Sequence, residues 1–425
     1  MRIAMFTNTY LPHVGGVAHS VKTLADACWA EGHEVLIIAP EFKGADVSPD
    51  VVRVPAIQNF NGSDFSLRLP FPNTVREAID HFAPDLIHSH HPFLLGDTAL
   101  REAWKQQVPV VFTHHTLYER YTHYVPLDSP ALKRFAIQLA TEYGNLCDLV
   151  IAPSHSIAEL LRGRGVTCPL ETIPTGVDTA FFASGDRAAF RAQHNIPAYA
   201  RVIGHVGRLA PEKNLRLLAE AVAPSLAADP STVFLLVGEG GALPGMLAIL
   251  TQSAAPEQIH CLGKLTGRAL ADAYAAMDCF VFTSQSETQG LVLAEAMAAS
   301  LPIAALDGPG VREIVRDGHN GLLLPAAATA SELSNALHRL LHEPSLSRQL
   351  GLQAKRDAAP FSTSHCVAKV LGCYAALAAA HLPRVDPDVT PWDRLLNGIG
   401  IEWDLFVEKM SAAAAAVSDA PPDLA

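Results

Sequence analysis

The stretch VIGHVGRLAPEKN, residues Val202–Asn214, decides the fold of the chain. It opens with a short run rich in β-branched residues, continues through Gly and Pro, and leads into a helical pattern over Leu215–Ala227. A strand that turns directly into a helix is the repeating unit of a parallel sheet with crossover helices. The stretch therefore predicts one βα unit, and the chain on both sides of it repeats the pattern.

Two series of such units are predicted. The first has strands at Arg2–Thr7, Glu34–Ala39, Leu86–His88, Val108–Thr113 and Asp148–Ala152, with helices at Val17–Glu31 and Asn73–Phe82. The second has strands at Val202–Val206, Val233–Val237, Ile259–Leu262, Cys279–Thr283 and Pro302–Ala305, with helices at Leu215–Ala227, Gly267–Met277 and Leu291–Ser300. Short apolar runs are typical of strands covered on both faces. The sequence thus predicts an α/β fold with two doubly wound halves.

Composition excludes two classes of protein. The 425 residues are 49% hydrophobic and only 17% charged, which is too apolar for a disordered chain. The 31 Lys and Arg residues are outnumbered by 43 Asp and Glu residues, so the net charge is −12. A protein that binds nucleic acid needs a positive face to neutralise phosphates. We therefore expect no nucleic-acid partner.

Cysteine usage and hydropathy indicate the compartment. The seven cysteines are widely spaced and include no CxxC pair, which is typical of a reducing compartment rather than of a disulfide framework. The first residues, Met1–Thr7, have a strand-like pattern instead of a secretory signal. No run reaches the roughly 18 to 20 apolar residues that a membrane span needs. We expect a cytoplasmic protein, either in solution or at the inner face of the membrane.

Two cations follow the first strand of the second series. Arg208 and Lys213 lie five residues apart, at the carboxyl end of the strand and beside a predicted helix N-terminus. Ligands of open α/β sheets bind at this edge. A guanidinium fork and an ammonium point charge placed there can bind a diphosphate without a metal ion. The alternative is a solvated loop that carries two ordinary cations.

Two carboxylates occur in TSQSETQGLVLAEA, residues Thr283–Ala296. Glu287 precedes a helix that is predicted to begin near Gly290, and Glu295 comes eight residues later, about two turns on, so both are expected on one side. Carboxylates accept hydrogen bonds from sugar hydroxyls, and a helix N-terminus attracts an anion. The alternative is that Glu287 caps the helix and Glu295 is exposed.

A cluster of histidines is expected at the carboxyl edge of the first sheet. Three of them, His88, His90 and His91, follow one strand, and His114 and His115 follow the next. We favour hydrogen bonding to a substrate over zinc ligation, because the chain has no HExxH motif and no paired thiolates.

Two further patterns bear on anion and metal binding. Gly15 and Gly16 allow a tight turn before the first helix, where a ligand anion would be stabilised, although such a turn is as often structural. The only DxD pattern, Asp386-Pro387-Asp388, reads as a turn. No metal site is expected.

Together these motifs resemble the retaining glycosyltransferases of family 4, which have the GT-B fold. The resemblance runs from about Arg2 to about Ala380, and it is carried by Gly15-Gly16, His115-Thr116, Gly207-Arg208, Glu212-Lys213-Asn214 and Glu287-x7-Glu295 with Gly290 inside it. It implies two Rossmann-like domains facing across a cleft: an acceptor-binding domain at residues 1–190 and a nucleotide-sugar-binding domain at residues 191–360. In a C-terminal segment, residues 361–425, a helix would cross back to the first domain.

The resemblance also implies residue roles. Arg208 and Lys213 would bind the diphosphate, Glu287 would contact hydroxyls of the donor sugar, and His115 would lie near its C6 hydroxyl; these four form the implied catalytic set. The implied donor-binding residues are Gly16, Leu262, Lys264, Leu265, Thr288, Gln289, Gly290, Leu291 and Glu295. Among them Gly16 would lie against the phosphates, Glu295 would bind the ribose, and Leu262, Lys264 and Leu265 belong to the stretch Cys261–Leu265 that would contact the base. No cofactor is implied, since the UDP-sugar is the donor substrate.

A narrower resemblance concerns the acceptor. THHTLYERYTHYVP at Thr113–Pro126 and SETQGLVLAEAMA at Ser286–Ala298 are similar to bacterial enzymes that move glucose from UDP-glucose to diacylglycerol. It implies that Tyr118, Tyr121 and His123 stand at the acceptor side, although aromatic packing explains them equally well. The expected partners are a nucleotide sugar, a lipid or sugar acceptor and a membrane surface.

Three rival functions stay open at this point. A related transferase could act on a soluble sugar, a phosphoinositide or a glycan. An epimerase would need acid and base carboxylates that the motifs do not provide. The third rival is a sugar-nucleotide sensor without catalysis, and the complete set of motif residues argues against it.

Overall fold

The structure is a computed structural model that describes residues 1–12, 15–42, 44–45, 48–57, 67–68, 73–120 and 129–380. It divides into two compact units. The first consists of Met1–Gly176 and the chain from Cys366 onward, and the second is Val177–His365. The units therefore divide after Gly176 and after His365, whereas the sequence analysis places the two boundaries at residues 190 and 360. The second unit is therefore continuous in sequence and the first is not.

The first unit is built on a parallel sheet. Its strands are β1 Arg2–Phe6, β2 Glu34–Pro40, β3 Val51–Val54, β4 Ala56–Ile57, β5 Leu67–Arg68, β6 Leu86–Ser89, β7 Val110–Thr113, β8 Leu149–Ala152 and β9 Leu170–Thr172. Seven of them form one sheet in the order β3-β2-β1-β6-β7-β8-β9, and β4 and β5 form a short antiparallel pair. The helices are α1 Gly16–Ala30, α2 Asn73–Phe82, α3 Leu95–Gln106, α4 Pro130–Asn145 and α5 His155–Gly163.

The second unit has its own parallel sheet, of six strands. They are β10 Arg201–Val206, β11 Thr232–Val237, β12 Ile259–Cys261, β13 Cys279–Phe282, β14 Ile303–Leu306 and β15 Gly321–Leu324. Their order is β12-β11-β10-β13-β14-β15. The helices are α6 Thr179–Phe182, α7 Arg187–Gln193, α8 Leu215–Ala228, α9 Leu243–Leu250, α10 Gly267–Ala276, α11 Leu291–Ala298, α12 Val311–Ile314, α13 Ala330–His342 and α14 Pro344–Asp357, and α15 Thr363–Ala380 follows them.

Both sheets reverse their strand order beside their first strand. In the first sheet β1 lies between β2 and β6, and in the second β10 lies between β11 and β13. Connections on the two sides of the reversal run in opposite directions and leave a crevice at the carboxyl ends of the strands. The predicted α/β fold with two Rossmann-like doubly wound domains is confirmed.

Tyr374 of helix α15 completes the core of the first unit. Cys366, Val370 and Tyr374 are buried in the same apolar cluster as Val21 and Cys28 of α1. The Tyr374 side chain is fully buried, and large buried side chains of this kind each contribute about 1.5–3 kcal/mol of transfer free energy. The first unit therefore depends on a helix from the far end of the chain.

Hydropathy and cysteine chemistry give two further facts. None of the helices in the described residues is long and apolar enough to cross a membrane. All seven cysteines are free thiols.

Three glycines lie in tightly packed turns at the carboxyl edge of the second sheet. Gly238 has φ +142°, and a Cβ built there would lie 1.8 Å from the carbonyl oxygen of Gly207. Its N–H donates to the carbonyl of Gly263 at 2.8 Å, so the turns after β10, β11 and β12 pack directly on one another. This position tolerates no side chain.

We expect Gly238→Ala to lower the free energy of unfolding by about 3 kcal/mol, because the added methyl group meets backbone and the φ angle is unfavourable. Gly245→Ala is the matched control. Gly245 is a helical position in α9 where a Cβ meets nothing within 4 Å, so alanine should stabilise by about 0.5–1 kcal/mol. Urea denaturation of the full chain measures both; equal stability of the two variants would contradict the packing argument.

Candidate active site

An ion pair spans the reversal point of the second sheet. Lys213 ends the 3-10 turn after β10, and Glu287 lies in the loop after β13. The Lys213 Nζ atom is 2.5 Å from Glu287 Oε1, and the two side chains are only 14% and 17% exposed. The structure thus brings together two predicted residues that are 74 positions apart.

Hydroxyl groups tie the two loops to each other. The Thr283 hydroxyl donates to the backbone carbonyl of Lys213 at 2.9 Å, and the Ser286 hydroxyl donates to that of Glu212 at 3.3 Å. Backbone carbonyls that are satisfied in this way hold their loop in one conformation. The ion pair therefore sits on a fixed scaffold.

Arg208 lies beside this pair but has a different partner. Its Nη2 atom is 2.5 Å from Glu212 Oε1, with the Arg208 side chain 38% exposed. Burial alone would raise the pKa of Glu287, but the Lys213 ammonium and the Arg208 guanidinium together hold that pKa below its ordinary value. Glu287 is therefore ionised at neutral pH, with two cations acting on it. Sequence reasoning assigned no role to Glu212, although an acid four residues after an arginine is well placed to form an ion pair with it.

Glu295 is in a different environment from Glu287. It lies in α11, is buried, and accepts a 2.7 Å hydrogen bond from the Tyr274 hydroxyl. Burial raises its pKa to about 7. The alternative that Glu295 is an exposed surface residue is wrong, and so is a capping role for Glu287, because the N-cap of α11 is Gly290. Sequence reasoning missed Tyr274, which no motif marks.

The predicted residues Thr288, Gln289, Gly290 and Leu291 form the turn into α11. Gly290 has φ +80°, and the helix begins at Leu291 without a side-chain cap. Gly310, in the turn after β14, packs on this turn so closely that a Cβ would lie 2.8 Å from the Gln289 nitrogen. Sequence reasoning missed this contact, although the DGPG pattern at Asp307–Gly310 is typical of a tight turn.

The three predicted base-contacting residues lie at the carboxyl end of β12, two strands from β10. The N–H of Leu262 donates to the carbonyl of Leu236 at 3.0 Å, which continues the ladder past the strand. Leu262 and Leu265 pack against the core, and Lys264 is exposed. Their contact with a nucleobase stays a prediction.

In the first unit, His115 forms a pair with His90. His90 Nδ1 and His115 Nε2 are 2.9 Å apart. Burial lowers the pKa of His115 to about 4, so the ring is uncharged at neutral pH. His115 can therefore act as a neutral hydrogen-bonding group.

Gly16 begins helix α1. A Cβ at Gly16 would meet nothing within 4 Å. Its N-cap, Gly15, provides no side chain, so the N-terminus of this 15-residue helix has no side-chain cap. The predicted role of Gly16 at the phosphates stays a prediction.

Tyr118 lies in a buried aromatic cluster. Its ring packs at right angles on His114, with centroids 5.7 Å apart, and against Phe93 at 5.2 Å. The ring is 7% exposed and its hydroxyl has no hydrogen-bond partner. Of the other predicted acceptor residues, Tyr121 and His123 lie outside the described residues, as does the DxD pattern at Asp386–Asp388.

The described residues contain no group of three or more His, Cys, Asp or Glu side chains arranged to hold a metal ion. Within the histidine cluster, His90 pairs with His115, and His88 pairs with two hydroxyls. The ring nitrogens of His88 lie 2.5 Å from the Tyr374 hydroxyl and 2.7 Å from the Thr113 hydroxyl.

A cavity of about 490 Å³ lies at the opposite, amino-terminal edge of the second sheet. Two arginines that line it form ion pairs within the unit: Arg187 lies 2.5 Å from Asp278, and Arg201 lies 2.9 Å from Asp229. None of the predicted site residues lines this cavity. The chemistry of the second unit is therefore expected at the carboxyl edge and not here.

Comparison with known proteins agrees with this geometry. The family model described as Glycosyltransferase Family 4 matches residues 14–181, and the one described as Glycosyl transferases group 1 matches residues 186–357. A GDP-mannose-dependent alpha-mannosyltransferase of Mycobacterium tuberculosis is 30% identical over 384 residues, which are 89% of this chain and 97% of the relative. An alpha-monoglucosyldiacylglycerol synthase of Acholeplasma laidlawii is 29% identical over 379 residues, covering 85% and 94%.

A solved structure has the same fold. Anabaena HepE in complex with UDP-glucose aligns with a TM-score of 0.71 at 20% identity, over 89% of this chain and all of that one (100%). Two parallel Rossmann-like sheets with these neighbours define a glycosyltransferase of the GT-B fold. The chain belongs to glycosyltransferase family 4.

The buried Glu295 predicts a pH-dependent stability. Because its folded-state pKa of about 7 lies above its ordinary value of 4.5, the folded protein binds this proton more tightly than the unfolded chain does. This stabilisation is complete below pH 4.5 and is lost as the pH rises through 7. Between pH 5 and pH 8 the free energy of unfolding should fall by about 2 kcal/mol more in the wild type than in Glu295→Gln. Urea titrations at both pH values measure the difference; parallel pH profiles would contradict the assignment.

Proposed function

We propose that this enzyme transfers a hexose with retention of configuration from a nucleotide diphosphate sugar to a lipid hydroxyl, and that it needs no metal ion or cofactor. The observation that carries the proposal is the largely buried Lys213–Glu287 pair with Arg208 beside it, at the carboxyl ends of β10 and β13. At this crevice the cations would bind the diphosphate of the donor, and the carboxylate would bind its sugar.

The two cations would act on the leaving group. When the sugar–phosphate bond breaks, negative charge grows on the diphosphate, and preorganised cations lower the barrier by meeting that charge. Lys213 is already fixed by Glu287, and Arg208 by Glu212. Little reorganisation is then needed when the donor binds.

The carboxylates would bind hydroxyls. The ionised Glu287 can accept hydrogen bonds from the donor sugar while it still neutralises Lys213. Glu295 would accept one from the ribose, and the neutral His115 would bond to the C6 hydroxyl. The acceptor hydroxyl would approach from the face of the leaving group and pass its proton to the departing phosphate, so no side chain serves as a covalent nucleophile.

For the substrates we propose UDP-glucose and 1,2-diacylglycerol, which would place the enzyme at the cytoplasmic face of a membrane. The resemblance of Thr113–Pro126 and the Acholeplasma relative support this choice. The mannosyltransferase of Mycobacterium tuberculosis, which is 30% identical over 97% of its length, favours a second candidate, with GDP-mannose as donor.

A matrix of donors and acceptors tests the proposal. UDP-glucose, UDP-galactose and GDP-mannose are each incubated with diacylglycerol vesicles, inositol phosphate or glucose, with and without EDTA, and products are detected by mass. We expect an α-glucosyl lipid from UDP-glucose, unaffected by EDTA. Transfer only from GDP-mannose would establish the second candidate, and no transfer from any donor would overturn both.

Removal of either cation should slow turnover. We expect Lys213→Ala and Arg208→Ala each to lower kcat by about 10² to 10³, by analogy with the loss of one donor to a developing anion. Arg216→Ala is the matched control, because Arg216 is 85% exposed and pairs only with Glu220 among the contacts of the described residues. Steady-state kinetics measure all three; activity within tenfold of wild type in both cation variants would refute the diphosphate assignment.

Substitution of Glu287 should separate binding from chemistry. In Glu287→Ala the donor still has Lys213 and Arg208 for its diphosphate, so we expect the donor Kd to change less than about fivefold while kcat falls at least 10²-fold. Calorimetric titration with UDP and with the intact donor gives the Kd values. Unaltered kinetics would exclude a contact between Glu287 and the sugar.

A further inference from the structure

Two imidazole rings face each other at the carboxyl edge of the first sheet. His90 follows β6 and His115 follows β7, and these strands are neighbours. Besides the 2.9 Å contact between His90 Nδ1 and His115 Nε2, the ring planes are nearly parallel, with an angle of 23° between them. The contact has hydrogen-bond length, so one nitrogen donates and the other accepts.

Both rings are uncharged at neutral pH. Burial lowers the pKa of His115, and burial together with the neighbouring histidines lowers that of His90 well below its ordinary value. A neutral imidazole has one N–H and one lone pair. The two rings therefore share one hydrogen bond, and its direction fixes the tautomer of each.

The other nitrogen of His90 decides the direction. His90 Nε2 is buried and has no hydrogen-bond partner. If His115 were the donor, His90 would carry its proton on Nε2 and leave a buried N–H unpaired, which is rare in folded proteins. If His90 donates from Nδ1, only a lone pair is left at Nε2. The second arrangement is the more stable one.

We propose that His90 is a positioning residue: its Nδ1–H donates to His115 Nε2 and holds His115 as the tautomer that carries its proton on Nδ1. The inference rests on the proposed function of His115 at the donor sugar. His115 then has a donor at Nδ1, which suits the oxygen of a sugar hydroxyl. His90 itself touches no substrate in this arrangement.

A third histidine limits the movement of His90. The ring centroid of His88 is 4.1 Å from that of His90. His88 is fixed on both sides by hydroxyls, those of Tyr374 in α15 and Thr113 in β7. His90 is thereby packed against a ring that cannot rotate freely, which keeps its Nδ1 aimed at His115.

The test combines a spectroscopic and a kinetic measurement on the full chain. Long-range ¹H–¹⁵N correlation spectra of the ¹⁵N-histidine-labelled protein give the tautomer of each ring, and loss of signals in His115→Ala assigns those of His115. We expect His115 as the Nδ1–H form in the wild type, and a change of its tautomer pattern in His90→Phe.

For the kinetics, His90→Phe keeps a ring but no donor, whereas His90→Asn places an amide N–H near the position of Nδ1. We expect kcat to fall about 10- to 100-fold in His90→Phe with the donor KM within threefold of wild type, and to recover to within about threefold in His90→Asn. The matched control is His81→Phe. His81 is exposed at the end of α2, away from the carboxyl edge of the sheet, so kcat should stay within threefold.

Each outcome decides a separate question. An Nε2–H form of His115 in the wild type, or equal losses in His90→Asn and His90→Phe, would overturn the proposal. If His90→Phe fails to fold, the wild-type spectrum and His90→Asn still decide it. If His115→Ala keeps wild-type kcat, the proposed role of His115 fails, while the spectrum continues to report the direction of the hydrogen bond.

Discussion

The reversal of strand order beside the first strand of each sheet is the constraint on which the site depends. At this point β10 and β13 lie next to each other, although their loops come from distant parts of the chain. The ion pair between Lys213 and Glu287 joins these loops. A partly buried charge is stable only with its partner, so the loops must adopt the geometry that keeps the two together.

Much of the fold could be predicted because its signals are local. A strand buried on both faces is a short apolar run, and the predicted helix at Leu215–Ala227 differs from α8 by one residue. The turn at Gly290 could also be predicted from the sequence, because a turn with a positive φ angle favours glycine. The family resemblance implied only that Lys213 and Glu287 bind the same donor. Their direct contact was not predicted, because spacing along the chain does not show which loops meet.

The electrostatic details could not be predicted, because they depend on side-chain packing. Glu287 and Glu295 belong to one motif, yet one is paired with an ammonium and the other is bonded to a tyrosine that no pattern marks. Their pKa values accordingly move in opposite directions. The histidine cluster was expected, but the pairing of His90 with His115 depends on the turns after β6 and β7 and on side-chain rotamers, since the strand register alone would set His90 opposite Thr113.

The burial of Tyr374 has a consequence for synthesis on the ribosome. The second unit is one continuous stretch, Val177–His365, and can collapse as soon as it has emerged. The first unit, although translated earlier, lacks α15 and the hydroxyl that binds His88 until Thr363–Ala380 has left the exit tunnel. The nascent protein therefore leaves part of this apolar cluster uncovered while the second unit is being made, and the first unit completes its core only after the second has been synthesised.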